Sequence, residues 1–194
     1  NHKKVDVIFN ALHGKDGEDG VAQSYFEYLR IPYTHSGVIS SFNAMNKLIS
    51  KKIFIKNNIL TPKYFAFNKK EFNKNKLKQY LKKKKIKFPV VVKPINEGSS
   101  LGVCISSNIE KLFKTTKKLF LKYDQLMFEE HIGGQEIQAA IINNAPLGAI
   151  ELIPKRNFYD YKAKYTKSAK TEHVMPARLK KKSIFKSFEI STKS

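Results

Sequence analysis

The chain has 194 residues, 41% of them hydrophobic, and a formal net charge of +21 at pH 7. This length and apolar content are enough for a real core, which excludes a disordered chain, and no run approaches the ~20 apolar residues of a membrane helix. The positive charge is almost all lysine, which indicates a compositional bias rather than a nucleic-acid partner, and the dense run at 76–87 is typical of a solvated helix face.

The first predicted unit is a strand, a loop and a helix. Val5 to Phe9 form an apolar run typical of a buried strand, and the loop "NALHGKDGEDG" that follows has three glycines in seven residues. A helix is predicted from Val21 to Leu29, so the unit is of the α/β type. Because the unit stands alone and no signal-peptide core is present, we expect a cytoplasmic protein whose first domain begins before residue 1.

Helices and a short strand are predicted next. Ser41 to Asn57 has the apolar spacing of a helix, and Ser41 is the candidate N-cap. After Pro62, a strand is predicted at Tyr64 to Phe67 and a helix at Asn73 to Lys84. This stretch therefore alternates helix and strand.

A β-hairpin with a polar tip is predicted at "VVVKPINEGSSLGV", residues 90–103. The three valines favour a strand covered on both faces, Pro94 ends its pairing, and a strand-like pattern resumes at Val103 to Ile105. Lys93 then stands at the base of a loop rich in glycine and serine. Two interpretations stay open: a surface hairpin whose lysine extends into water, or a phosphate cover built from backbone N–H groups, hydroxyls and an ammonium.

A helix and three strands complete the predicted elements. The helix is Ile109 to Lys122, a strand follows at Gln125 to Glu130, and two antiparallel strands, Glu136 to Ile142 and Leu147 to Leu152, are joined by the turn "NNAP". Cys104 is the only cysteine, so no disulfide framework and no cysteine-based metal site is expected. The order of elements predicts an α+β fold with an α/β start.

Five motifs occur in order between about Val7 and Ala177. They are "NALHGKDGEDG", "IPYTHSGVISSFNAMNK", "FPVVVKPINEGSSLGV", "FEEHIGGQEI" and "FYDYKAKYT" followed by "MPA". Together they resemble the D-alanine–D-alanine ligases, ATP-grasp enzymes of peptidoglycan precursor synthesis. The resemblance implies an ATP-grasp fold, ATP and Mg²⁺ as cofactors, and D-alanine as substrate, and it leaves a homodimer open. The implied reaction phosphorylates one D-alanine carboxylate, after which the amine of a second D-alanine displaces the phosphate.

The resemblance also implies three units. Residues 1–40 would be the end of an N-terminal, Rossmann-like substrate-binding domain, 41–130 the central ATP-grasp subdomain, and 131–194 the beginning of the C-terminal ATP-grasp subdomain with its lid loop. The family's metal ligands and its oxyanion-stabilising arginine find no counterpart after Ala177. We therefore expect the printed chain to be an incomplete segment that is inactive alone.

By resemblance, the hairpin loop would bind the phosphates of ATP. Lys93 and Lys47 would neutralise their charge, which is the main catalytic task in phosphoryl transfer. The loop from Glu97 to Gly102 would cover them, with Ser99 and Ser100 supplying hydroxyl groups. This answers why a lysine ends an apolar strand.

By the same resemblance, "LMFEEHIGGQEI" would bind the nucleoside. Glu129 would accept a hydrogen bond from the adenine amino group, Glu130 and Ile132 would contact the base through their main chain, and Glu136 would accept both ribose hydroxyls. Tyr159 would be a further nucleotide contact. Without the resemblance, Glu129 and Glu130 would be interpreted as a solvated strand end.

The stretch "FYDYKAKYT" would be the lid. Lys164 would meet phosphate or the second substrate's carboxylate, and Tyr165 would hydrogen-bond toward Ser99, so that water is excluded from the acyl phosphate. His13 and Glu18 would position D-alanine. From the residues alone, the stretch is equally typical of an exposed loop, and a loop histidine is more often structural.

Three functional hypotheses stay open at this point. The first is a segment of a D-alanine–D-alanine ligase, and the second is another ATP-grasp carboxylate–amine ligase, which should lack the "FYDYKAKY" lid. The third is a non-catalytic protein, either a nucleotide-binding remnant or a lysine-rich binding module, and the lysine-rich module would need none of the motifs. The sequence departs from the family pattern at Asn46, where the family usually has Asp.

Overall fold

A computed structural model describes residues 5–153 and 171–193 of the protein. Three β-sheets follow one another along this part of the chain, with helices between the strands. The strands are β1 (Ile8–Phe9), β2 (Tyr33–Thr34), β3 (Tyr64–Asn68), β4 (Val90–Pro94), β5 (Cys104–Ser106), β6 (Gln125–Glu130), β7 (Glu136–Ile142), β8 (Ala145–Ile153) and β9 (Glu172–Val174). The α-helices are α1 (Val21–Tyr28), α2 (Val38–Met45), α3 (Lys47–Lys56), α4 (Lys74–Lys84), α5 (Ile109–Leu119) and α6 (Lys181–Lys193).

The first sheet pairs β1 with β2 in parallel, and α1 connects them. This arrangement confirms the α/β character predicted for the first unit. The prediction of a buried strand from Val5 to Phe9 is wrong in extent and in burial, since β1 has two residues and Phe9 is 81% exposed. Within the described residues β1 pairs with β2 alone, so little of the molecule covers its faces.

The helix predicted from Ser41 to Asn57 is two helices that meet at Asn46. The side chain of Asn46 accepts hydrogen bonds from the backbone N–H groups of Leu48 and Ile49, both at 3.1 Å, and so caps the start of α3. Ser41 is therefore not an N-cap. It lies inside α2, is buried, and donates from its hydroxyl to the carbonyl oxygen of Ser36 at 3.1 Å.

The central sheet is antiparallel, with strand order β3-β6-β4-β5, and one of its faces packs on α4 and α5. Apolar side chains alternate along each strand toward this face. At its centre the rings of Phe65 and Phe128 stack with centroids 5.0 Å apart. Each side chain buried here contributes about 1.5–3 kcal/mol of hydrophobic stabilisation. The core residues are Phe65, Phe67, Leu77, Leu81, Ile86, Val90, Val92, Leu112, Phe120, Leu126 and Phe128.

The hairpin predicted around Lys93 is confirmed, because β4 and β5 pair antiparallel. The prediction that its first strand is covered on both faces is wrong. Val90 and Val92 are fully buried, whereas Val91 and Lys93 are only half-buried on the other face. That second face borders a cavity. Pro94 forms the last pair of the strand, which confirms that it ends the pairing.

The third sheet has the order β7-β8-β9 and is antiparallel. The pairing of β7 with β8 confirms the predicted second hairpin, and Asn143 and Asn144 adopt positive φ angles of 47° and 61° in its turn. Helix α6 follows this sheet. No helix in the part of the chain that the structure describes has the length and apolar character needed to cross a membrane.

Candidate functional site

A cavity of about 710 Å³ opens on the face of the central sheet that lies opposite α4 and α5. Strand β4 contributes Val91 and Lys93 to its lining and β6 contributes Glu129, because alternate residues of a strand point to the same face. The segment 130–136 and residues 151–153 of β8 also line it, as do Pro62, Val103 and Ile105. The volume is in the range of small-molecule sites, ~300–1,000 Å³.

Glu129 is a buried carboxylate, 6% exposed, that lies between two lysines. Its Oε1 pairs with the Nζ of Lys51 and its Oε2 with the Nζ of Lys93. The alternative prediction of a solvated strand end is therefore wrong for Glu129. The structure brings Glu129 and Lys93 together at the cavity, although the resemblance implies adenine for one and phosphate for the other.

Lys51 is a buried lysine that the sequence reading did not single out. It is 5% exposed, and its Nζ donates to Thr61 Oγ1 at 2.6 Å and to the carbonyl oxygen of Pro62 at 2.9 Å, besides pairing with Glu129. The Nζ also lies 4.8 Å from the ring centroid of Tyr64. Burial lowers the pKa of Lys51, and the bond to Glu129 opposes this shift. Lys51 could have been found from the sequence, because it lies four residues after Lys47 and therefore on the same side of α3.

Lys47 joins α3 to the loop after β4. Its backbone N–H donates to the carbonyl oxygen of Ile95 at 3.1 Å, and its Nζ donates to the carbonyl oxygen of Glu97. Burial, followed by the nearby charge of Lys93, lowers the pKa of Lys47 to about 8. The charges of Lys47 and Lys93 are therefore close enough to interact.

The loop from 97 to 102 has an unusual backbone. Ser99, Ser100 and Gly102 all adopt positive φ angles, of 49°, 61° and 70°. A Cβ on Gly102 would lie 2.7 Å from the Cγ of Pro94, so that position requires glycine for its space as well as its conformation. Leu101 N–H donates to the carbonyl oxygen of Gly98 at 3.0 Å, which closes a turn around Ser99 and Ser100. Backbone N–H groups of such turns can form concave anion-binding sites.

A second cavity of about 370 Å³ lies next to the same loop. Its lining includes Glu18, His35, Lys47, Glu97 and Gly98. The Oε2 of Glu18 accepts a hydrogen bond from the backbone N–H of Gly14 at 2.6 Å. The glycine-rich loop 10–20 and the hairpin loop thus meet at this cavity.

The two predicted substrate residues are placed differently. Glu18 lines the second cavity, whereas His13 is exposed and lies outside its lining. His35, which the sequence reading did not single out, lines the cavity instead, and its Nδ1 lies 3.2 Å from Gln23 Nε2. The signal for His35 was its place in the "IPYTHSG" turn, directly before α2.

Three further predicted nucleotide residues line the first cavity: Glu130, Ile132 and Glu136. Glu130 forms a long ion pair with the exposed Lys63 at 3.9 Å, and Ile132 is 62% exposed. Three predicted residues, Tyr159, Lys164 and Tyr165, lie outside the described residues.

Glu151 is another buried carboxylate at the first cavity, 4% exposed, which the sequence reading missed. Its Oε1 accepts from Gln135 Nε2 at 2.9 Å, and its Oε2 accepts from Arg178 Nε at 3.0 Å. These hydrogen bonds, that from Gln135 first, lower the pKa of Glu151. The Glu151 carboxylate thus connects β8 to the segment before β7, through Gln135, and to the segment after β9, through Arg178.

The described residues show no ready-made cluster of metal ligands. Residues 5–153 and 171–193 contain no group of three or more His, Cys, Asp or Glu side chains placed to hold a metal ion. Magnesium is commonly held by carboxylates together with phosphate oxygens.

Comparison with known proteins gives two family matches and close relatives. Residues 53–194 match the family described as D-ala D-ala ligase C-terminus, and residues 1–36 match D-ala D-ala ligase N-terminus. The chain is 58% identical over 185 residues to the D-alanine–D-alanine ligase of Pelagibacter ubique (strain HTCC1062), covering 94% of this chain and 59% of that ligase. It is 41% identical over 177 residues to the D-alanine–D-alanine ligase of Pelobacter propionicus, covering 91% and 55%. The chain thus spans little more than half the length of these relatives.

Solved structures of ligases also match nearly the whole of this chain and little more than half of their own length. The D-alanine–D-alanine ligase from Bacillus anthracis complexed with ATP superposes with a TM-score of 0.77 at 30% identity, covering 97% of this chain and 58% of that one. The VanG D-Ala:D-Ser ligase from Enterococcus faecalis superposes with a TM-score of 0.84 at 28% identity, covering 98% and 55%. The three sheets described above are therefore arranged as in ATP-grasp ligases.

Proposed function

This chain belongs to the D-alanine–D-alanine ligase family, and from that membership we propose that it binds ATP and serves the ligation of two D-alanines. The observation that carries the proposal is the convergence of two lysines from different elements. Lys47 of α3 and Lys93 of β4 interact electrostatically beside the loop 97–102. Paired ammonium groups beside the backbone N–H groups of a turn suit the terminal phosphates of a nucleotide.

The proposed reaction has two steps. A carboxylate oxygen of the first D-alanine attacks the γ-phosphorus of ATP, so that ADP leaves and an acyl phosphate forms. The amine of the second D-alanine then attacks the acyl carbon, and inorganic phosphate leaves as the peptide bond forms. Lys47 and Lys93 offset the negative charge that accumulates on the phosphate oxygens in the first step.

The remaining site residues take the following proposed roles. Ser99 and Ser100 would donate hydroxyl groups within the phosphate loop, and Glu97 would hold Lys47 in place through its carbonyl oxygen. Around the first cavity, Glu129 would accept from the adenine amino group and Glu136 from the ribose hydroxyls. The base would also meet main-chain groups of Glu130 and Ile132, and Tyr159 would be a further contact.

The second cavity is the proposed place for the first D-alanine. Glu18 supplies a negative charge for the substrate ammonium, and Lys47 lies in the same lining. His13 would position the substrate from the neighbouring loop. Lys164 and Tyr165, outside the described residues, would close the site, as the family resemblance implies.

The proposed domains are those implied by the family. Residues 1–40, 41–130 and 131–194 each hold one of the three sheets. The two cavities lie where these units meet, since their linings draw on neighbouring units. A cytoplasmic location, a role for Mg²⁺ and a homodimer are part of the same proposal.

Two measurements test the proposal. Calorimetry on the printed chain should detect ATP binding and weaker GTP binding, because Glu129 offers an acceptor to the adenine amino group. For turnover, the chain is completed with the remaining segments of the Pelagibacter ubique ligase and supplied with ATP, magnesium and D-alanine. Equal amounts of ADP, phosphate and D-alanyl-D-alanine are expected, and the added segments alone serve as control. A product containing mainly D-serine or an L-amino acid would assign the chain to a different ligase branch.

A further inference from the structure

Lys51 and Lys93 contact the same carboxylate but are held very differently. An ammonium group has three hydrogen-bond donors, and those of Lys51 have three acceptors: Glu129 Oε1, Thr61 Oγ1 at 2.6 Å and the carbonyl oxygen of Pro62 at 2.9 Å. The side chain of Lys51 is 6% exposed. Lys51 is therefore a fixed counterion of Glu129.

Lys93 is the exchangeable partner. Its side chain is 21% exposed and lines the first cavity, and among the described residues its Nζ pairs with Glu129 Oε2. A half-buried lysine with one ion pair at the edge of a cavity can turn toward a bound anion without breaking other bonds.

The proposed function asks two things that the ion pair between Lys93 and Glu129 opposes. Lys93 has to meet a phosphate, and Glu129 has to offer an oxygen to the adenine amino group. Removing the sole cation from a buried carboxylate would leave an uncompensated buried charge, which is strongly unfavourable. The second cation, Lys51, removes this cost.

Resting on the proposed nucleotide site, we propose that Lys51 is a positioning residue that allows a counterion exchange at Glu129. On nucleotide binding, Lys93 leaves Glu129 Oε2 for a phosphate oxygen, and the adenine amino group donates to the vacated Oε2. Lys51 stays on Oε1 throughout and holds the carboxylate toward the cavity. No covalent bond forms or breaks, and the phosphate supplies the negative charge that Lys93 gives up.

The register of the central sheet supports this geometry. Glu129 is directly opposite Tyr64 on one side and Val91 on the other, and Lys93 is two residues after Val91, on the same face. Tyr64, Thr61 and Pro62 belong to the segment that leads from α3 into β3, and this segment encloses the Lys51 ammonium. The fixed cation thus lies behind Glu129 and the exchangeable one lies at the cavity.

The test measures binding of inorganic tripolyphosphate, ATP and GTP to the printed chain and its variants at constant ionic strength. In Lys51→Met, Lys93 is the sole remaining counterion of Glu129, so tripolyphosphate affinity should fall by about tenfold or more although Lys51 lines neither of the two cavities. Lys52→Met, an exposed neighbour on the same helix, is the matched control and should bind as the unsubstituted chain does.

A second substitution separates exchange from a purely structural role. Lys51→Met with Glu129→Gln removes both charges of the buried pair and frees Lys93. Tripolyphosphate affinity should return to at least that of the unsubstituted chain, while the preference for ATP over GTP should be lost. A structural tether between α3 and β6 predicts no such recovery.

The outcomes are distinct. The inference is overturned if Lys51→Met binds tripolyphosphate as well as Lys52→Met does, or if the double variant binds it more weakly than the unsubstituted chain. Should Lys51→Met alone fail to fold by circular dichroism, the double variant still decides, since it contains no unpaired buried charge. An unsubstituted chain that folds but binds neither ATP nor tripolyphosphate would overturn the proposed nucleotide site itself.

Discussion

The ammonium group of Lys47 donates a hydrogen bond to the backbone carbonyl oxygen of Glu97, 50 residues further along the chain. The backbone N–H of the same lysine donates to Ile95 at 3.1 Å. The start of α3 and the loop after β4 are therefore held together twice by one residue. Any ligand that draws the Lys47 side chain away also releases the loop at Glu97.

The lowered pKa of Lys47 predicts a pH dependence of anion binding. In the unliganded protein this pKa is about 8, so Lys47 loses its proton as the pH rises through that value. Affinity for tripolyphosphate should then fall by up to about tenfold between about pH 7 and pH 9.5. Titration calorimetry at constant ionic strength measures it. Lys47→Arg, which stays protonated, should flatten the profile, and an unchanged slope in that variant would contradict the assignment.

Replacing Lys93 should affect ligand binding more than stability. Lys93→Met removes one of two cations near the phosphate loop, and we expect a loss of about tenfold or more in ATP affinity. The unfolding midpoint should change little, because Glu129 keeps its ion pair with Lys51. Lys63→Met is the control, since Lys63 is exposed and pairs with Glu130 only at 3.9 Å. Equal ATP affinities in the two variants would remove Lys93 from the site.

A substitution at Gly102 should destabilise the phosphate loop. Gly102 has a φ of 70°, and an added Cβ would lie 2.7 Å and 2.9 Å from two ring carbons of Pro94. We expect Gly102→Ala to lower the free energy of unfolding by about 1–3 kcal/mol. Gly133→Ala meets no atom within 4 Å and should change it by less than about 0.5 kcal/mol. Urea denaturation of both variants decides, and equal midpoints would contradict the strain argument.

The cap of α3 predicts a contrast between two substitutions at Asn46. Asn46→Ala loses the acceptor for the N–H groups of Leu48 and Ile49 and should cost about 1 kcal/mol of stability. Asn46→Asp keeps the acceptor and adds a negative charge at a helix N-terminus, so it should match or slightly exceed the original stability. If Asp destabilises as much as Ala, the side chain does not act as a cap.

Local sequence patterns predicted most helices and strands, but they could not predict ion pairs between residues that are far apart in the sequence. The hairpin around Lys93 was predictable because its strands and its turn are neighbours in sequence. The burial of Glu129 was not predictable, because it depends on an ion pair with Lys51. That lysine lies in α3, 78 positions earlier in the sequence (129 − 51). The break at Asn46 was hidden because apolar residues at helical spacing, Met45, Leu48, Ile49 and Ile53, continue across it. The same limit applies to Glu151 and Arg178, which meet only in the folded chain.

The two-residue alternation along β6 places Leu126 and Phe128 in the core and Met127 and Glu129 on the other face. A single-residue insertion or deletion within this strand would exchange the two sets, moving a carboxylate among the phenylalanines and a phenylalanine into the cavity. In a scan of single-residue insertions and deletions, those within β6 should therefore prevent folding. The exposed turn at Asn143 and Asn144 should accept the same changes.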